Sequence, residues 1–153
     1  MPEIGDEAPD FRIPTDGGGE FHLAGERGKA VVVYFYPKDD TSGCTKEAIA
    51  FTEANDQFEA ANAIVIGISP DDPKKHDKFK IKHSLGIRLG SDVDKSVCEA
   101  YGVWVEKSMY GKKYMGVERS TFLVDGEGKI AQAWRKVKVP GHAEKVLEAV
   151  KAL

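Results

Sequence analysis

The chain has 153 residues, 41% hydrophobic and 31% charged, with a formal net charge of −3. This fits one compact domain over residues 1–153, and the acidic balance argues against nucleic-acid binding, which needs a concentrated basic footprint. No run approaches the roughly 18 apolar residues of a membrane span, the acidic start MPEIGDEAPDF is unlike a secretory signal, and two cysteines make no disulfide scaffold, so the expected setting is reducing and cytoplasmic.

Residues 2–30 are rich in turn signals, with room for two short strands around Gly17–Gly19. Val31 to Tyr36 is continuously apolar, as in a strand buried on both faces, and Pro37 ends it. Residues 43–61 read as a helix, with Ala48, Phe51, Ala54 and Phe58 at helical spacing, Glu47, Glu53 and Glu59 among the polar positions, and Thr41 or Ser42 as N-cap. AIVIGIS at 63–69 is a second central strand. Asp72 and Pro73 then open a helix that Gly86 stops. IRLGSD is a short third strand, and Asp94 caps a short helix closed by Gly102. Residues 119–135 form a hairpin about an Asp-Gly-Glu-Gly turn, and the chain closes with an amphipathic helix carrying Val146, Leu147 and Val150. Helices between apolar strands imply an α/β fold, a mixed central sheet with helices on both faces. Ligand sites in such sheets lie where strand passes to helix.

Cys44 lies at such a point, inside YFYPKDDTSGCT. Free cysteine is often an inert packing residue. In the first turn of a helix, however, unpartnered backbone N–H groups and the helix dipole favour the thiolate, which is the reactive form. Thr41 can donate to the sulfur or to a substrate oxygen, Gly43 leaves the backbone open, and Pro37 can wall off one side. The position three after Cys44 is Glu47, so no Cys-x-x-Cys motif is present. His22, His76, His83 and His142 are scattered, which supports neither a cysteine hydrolase nor a zinc site. No cofactor and no metal are expected. A single activated thiol without a base suits an electrophile with an easy leaving group, such as a peroxide.

The spacing Pro37-x-x-x-Thr41-x-x-Cys44 resembles the active-site signature of the peroxiredoxins. GDEAPDF, VIGISPD, AYGVW and MYGKKYMGVERSTFLVD extend the likeness along nearly the whole chain, and it is most similar to the peroxiredoxin Q, or bacterioferritin comigratory protein, subfamily. The resemblance implies a thioredoxin-like fold and a thiol-dependent peroxidase acting on hydrogen peroxide and organic hydroperoxides. By the same resemblance Cys44 attacks the O–O bond and becomes a sulfenic acid, Thr41 binds the peroxide, Pro37 shields the site and Arg119 completes it. Read without the likeness, Arg119 is a surface cation beside Glu118.

The pattern departs from many subfamily members where a resolving cysteine would stand five residues after the first: that residue is Ile49. Cys98, in DKSVCEAYG, is the one other candidate and reads as a packing residue. A one-cysteine cycle is therefore expected, with thioredoxin, glutaredoxin or a small thiol as reductant, in a monomer or weak homodimer. A two-cysteine cycle through Cys98, a disulfide-exchange enzyme and a thioredoxin-fold chaperone or binding module are the alternatives.

Overall fold

A computed structural model describes residues 2–153. Two short strands, β1 (Arg12–Pro14) and β2 (Glu20–His22), pair antiparallel across the glycine turn. β3 (Ala30–Phe35) is the continuous apolar run. A turn leads from it to α1 (Ser42–Ala60), which is followed by β4 (Ala63–Ser69) and α2 (Pro73–His83). Asp72 caps α2 by accepting from the Lys75 N–H at 2.9 Å. After β5 (Arg88–Ser91) come α3 (Ser96–Ala100), β6 (Trp104–Met109), β7 (Lys112–Val117), β8 (Ser120–Val124), β9 (Ile130–Trp134) and α4 (His142–Lys151).

The central sheet runs β5-β4-β3-β8-β9. β3, β4 and β5 are parallel, joined by helical crossovers, while β8 and β9 are antiparallel. β3 lies in the middle and is buried throughout, because each of its faces meets a core. Val32, Tyr34 and Tyr36 face the core built with α1 and α4, which includes Cys44, Phe51, Phe58 and Val146. Val31, Val33 and Phe35 face the core under α3, which includes Phe21, Val97, Cys98 and Tyr101. The alternation of β3 thus places the two cysteines on opposite sides of one sheet. None of the helices among the described residues is long and apolar enough to cross a membrane.

Two features differ from the sequence reading. Asp94 accepts from the Ser96 N–H at 3.0 Å, but the buried Asp92 is the principal cap of α3, accepting from Val97 and Cys98 at 3.1 and 2.8 Å. The β6–β7 hairpin was not foreseen, because Glu106, Lys107, Lys112 and Lys113 interrupt its apolar alternation. Its turn is Tyr110–Gly111, with φ of 53° and 79°, the two left-handed residues that a tight hairpin twist requires.

The amino-terminal half of α1 is held to the sheet by stacking of Phe51 on Tyr34, with ring centroids 4.7 Å apart and planes at 19°. Burying such an aromatic ring is worth about 1.5–3 kcal/mol. Gly67, paired with Tyr34 across β3 and β4, makes room for that ring: a Cβ there would come within 2.5 Å of it. Gly67→Ala should therefore overpack the core and cost roughly 1–3 kcal/mol, read as a lower midpoint of urea unfolding.

Candidate active site

The segment between β3 and α1 is fixed by a buried polar network. The Tyr36 hydroxyl donates to Asp39 Oδ1 at 2.6 Å, and Asp39 Oδ2 lies 2.7 Å from His76 Nδ1 on α2. His76 Nε2 lies 2.9 Å from the Gly90 carbonyl of β5. Both partners of the ring accept, an arrangement that favours the doubly protonated imidazolium. Burial opposes that charge, but the Asp39 carboxylate and the Gly90 carbonyl outweigh it and raise the His76 pKa. The Asp39 N–H donates to Asp71 Oδ2 at 2.8 Å, and Ser69 donates to the same oxygen at 2.7 Å. Asp39, Asp71 and His76 are the one cluster among the described residues with donor atoms close enough for a metal. Those atoms are already spent on one another and on neighbouring groups.

This turn delivers Cys44 into the first turn of α1, where it is 1% exposed. Arg119 Nη2, from the link between β7 and β8, donates to Cys44 Sγ at 3.2 Å. Its Nη1 donates to Glu47 Oε1 at 2.7 Å. One guanidinium therefore spans two residues one helical turn apart. Gly43 permits the approach: a Cβ there would stand 3.2 Å from Arg119 Nη2. Glu47 is buried, and its Oε2 has no hydrogen-bond partner. Burial pushes its carboxyl up to about 7, against the pull of Arg119. The Tyr34 hydroxyl, buried nearby and also unpartnered, has its pKa pushed well up by burial and then by the charges of Glu47 and Cys44.

Of the residues singled out in the sequence, Cys44 and Arg119 are brought into contact. Thr41 stands at the N-cap position, but its hydroxyl makes no capping bond and does not donate to the sulfur. It donates to the Lys38 carbonyl at 2.9 Å, which leaves its oxygen lone pairs as acceptors. Pro37 is half-buried and opens the turn directly after the buried Tyr36. Arg119 pairs with Glu47 and not, as a surface cation would, with Glu118. Glu47 is the main omission of the sequence reading, which counted it only among the polar positions of the helix and gave it no role at the site. It falls on the stripe Cys44, Ala48, Phe51, so a carboxylate on an otherwise apolar face was the available signal. The clamp formed by Asp39 and His76 carried no such signal, since 37 residues separate its members.

The AhpC/TSA family model matches residues 4–133. Over 145 residues the chain is 52% identical to the putative peroxiredoxin bcp of Coxiella burnetii, covering 95% of this chain and 96% of that protein. It is 47% identical over 149 residues to peroxiredoxin Bcp of Bacillus subtilis, covering 97% and 95%. A solved structure of the Xanthomonas campestris bacterioferritin comigratory protein, described with alkyl peroxide reduction activity, superposes with a TM-score of 0.91 at 44% identity, over 99% of this chain and 97% of that one.

The clamp makes stability depend on pH with a definite sign. The His76 pKa is raised in the folded protein above its ordinary 6.5. Its contribution is therefore complete below pH 6.5 and is lost as pH rises through the folded value. His76→Asn should lower the urea midpoint most below pH 6.5, and the gap to wild type should narrow as pH is raised through the folded His76 value.

Proposed function

The chain belongs to the AhpC/TSA family, among its Bcp and peroxiredoxin Q members, and is a thiol-dependent peroxidase of thioredoxin-like fold; from that premise we propose that Cys44 is its peroxidatic residue and that the cycle uses this one cysteine. The observation that carries the reading is the Arg119 guanidinium at 3.2 Å from Cys44 Sγ. A fixed cation hydrogen-bonded to sulfur favours the thiolate and stays in place as charge moves onto the departing oxygen.

The thiolate attacks the terminal oxygen of an alkyl hydroperoxide or of hydrogen peroxide. The S–O bond forms as the O–O bond breaks, and the alkoxide or hydroxide leaves and takes a proton to give alcohol or water. Thr41, with its own proton on the Lys38 carbonyl, accepts from the hydroperoxide O–H and orients the terminal oxygen. Pro37 at the turn helps keep water from the sulfur. An external thiol then attacks the Cys44 sulfenic acid, forming a mixed disulfide and releasing water, and a second thiol restores Cys44. Thioredoxin, glutaredoxin and small thiols all supply this chemistry. Because Cys44 is buried, the first turn of α1 opens to admit the reductant.

The placement of Cys98 favours this cycle over resolution within the chain. Cys98 is buried in the core on the other face of the sheet, and a disulfide needs Cα atoms within about 7 Å. Burial and the neighbouring Asp92 also raise its pKa, so it stays a protonated and weakly nucleophilic thiol.

Cys44→Ser should abolish hydroperoxide turnover while leaving the unfolding midpoint nearly unchanged; a turnover retained in that variant would remove the assignment. In the same assay Arg119→Ala should slow the second-order reaction with hydrogen peroxide by about 10²- to 10³-fold, the effect of losing one preorganised donor.

Cys98→Ala should retain turnover with a small thiol and accumulate the Cys44 sulfenic acid as wild type does. Intact mass after one equivalent of peroxide checks this. A gain of one oxygen on wild type supports the one-cysteine cycle, and a loss of two hydrogens with a mapped Cys44–Cys98 bridge overturns it.

A further inference from the structure

Three lysines are partly buried among the described residues: Lys80, Lys95 and Lys107. Lys80 pairs with Asp16 at 2.7 Å, and Lys95 lies 5.7 Å from the Trp104 ring centroid. Lys107 has neither a carboxylate nor an aromatic face at its ammonium. A cation withdrawn from water without a partner costs free energy, so an anion that reaches it is bound at an advantage.

Lys107 lies on β6 opposite Tyr114 of β7, and its stem and the Tyr114 ring flank the bare backbone of Gly116. A Cβ on Gly116 would lie 3.3 Å from Lys107 Cδ and 3.5 Å from Tyr114 Cε2. The alternation of the hairpin puts Met109 on this face with Lys107 and Tyr114, both apolar neighbours being substantially exposed. Glu106 and Lys113 lie on the opposite face, 3.7 Å from each other. The Lys107 ammonium is near enough to the site for Arg119 and Cys44 to act on its charge, as Glu118 also does. Burial and Arg119 hold its pKa below the ordinary lysine value, against the pull of Cys44 and Glu118. Arg119 is already committed to Cys44 and Glu47. A second anion entering with the substrate therefore finds Lys107 unengaged and partly withdrawn from water, with the exposed Lys112, paired with Met109, on the same face of the hairpin.

We propose that Lys107 is a specificity-determining residue, pairing with a carboxylate carried by an organic hydroperoxide whose carbon chain lies against Tyr114 and Met109. The inference rests on the peroxidase reading and names its preferred substrate class: hydroperoxides bearing an anionic group, over neutral ones of the same skeleton. A lysine that acted only on the thiolate would alter all peroxides alike, so a ratio of substrates separates the two roles.

The test uses a hydroperoxide carrying a carboxylic acid and its methyl ester, with second-order rate constants measured on the full chain at low salt. Wild type should prefer the acid by about fivefold, the scale of a partly exposed ion pair. The preference should shrink at about 0.5 M salt. Lys107→Met and Lys107→Gln should bring the ratio near one, Lys107→Arg should keep it, Lys113→Met, on the opposite face, should leave it unmoved, and Lys112→Met, exposed on the same face, should lower it less than Lys107→Met does. An equal ratio in wild type and in both neutral variants overturns the proposal, as does a wild-type ratio of one. Hydrogen peroxide, run beside them, distinguishes the two levels. If wild type consumes it while the ratio stays flat, only the specificity of Lys107 falls. If wild type is inert to all three peroxides, the peroxidase reading falls and takes this inference with it.

Discussion

The Arg119 guanidinium, held between the sulfur of Cys44 and the carboxylate of Glu47, joins the start of α1 to the link between β7 and β8. Its side chain is 18% exposed, and that of Glu47 is 2% exposed. An arginine so far withdrawn from water must be paired, and Glu47 supplies the pair from the helix that carries the thiol. The arrangement is demanding. It requires α1 to dock in one rotation, so that Cys44 and Glu47 face the same way, and it requires the β7–β8 link to pass over the start of that helix. The stacked Tyr34 and Phe51 rings satisfy the first condition, and the pairing of β8 with β3 satisfies the second.

The approach to the thiol is set by a different interaction. Tyr36, Asp39 and His76 tie the end of β3 to α2, and His76 ties both to the backbone of β5. The turn carrying Pro37 and Thr41 is thus braced from two neighbouring elements. With the turn in this conformation the Thr41 hydroxyl hydrogen is directed to the Lys38 carbonyl. The oxygen that remains is an acceptor, the opposite polarity to the donor expected from residue type, and it suits a hydroperoxide that has its own proton to give.

The two cysteines differ through their neighbours more than through their burial, which is nearly complete for both. Cys44 has a guanidinium against its sulfur, which favours negative charge there. Cys98 has Asp92 beside it, whose carboxylate accepts the Cys98 N–H at 2.8 Å and disfavours a second negative charge. The same residue type is thereby placed in opposite electrostatic settings on the two faces of one sheet.

Much of this was present in the linear order of residues. The apolar runs at 31–36 and 63–69 and the helical spacing from Ala48 to Phe58 are local signals, because side-chain periodicity follows directly from backbone geometry. So is the position of Cys44 after Pro37 and Thr41, at a strand-to-helix junction. Arg119 was legible only through the likeness to a known family, since nothing near it in sequence requires it to meet residue 44. Glu47 was read as one polar helix position among others because charge ordinarily follows exposure, and only the arrival of Arg119 from 72 residues away makes its burial tolerable. The pairing of His76 with Asp39, the exposed face of the β6–β7 hairpin and the unpartnered Lys107 likewise depend on contacts between distant segments. The sequence by itself determined which elements form and where the thiol sits among them. The tertiary structure alone decided which charges meet, because electrostatic pairing depends on distance in space and carries no periodic mark along the chain.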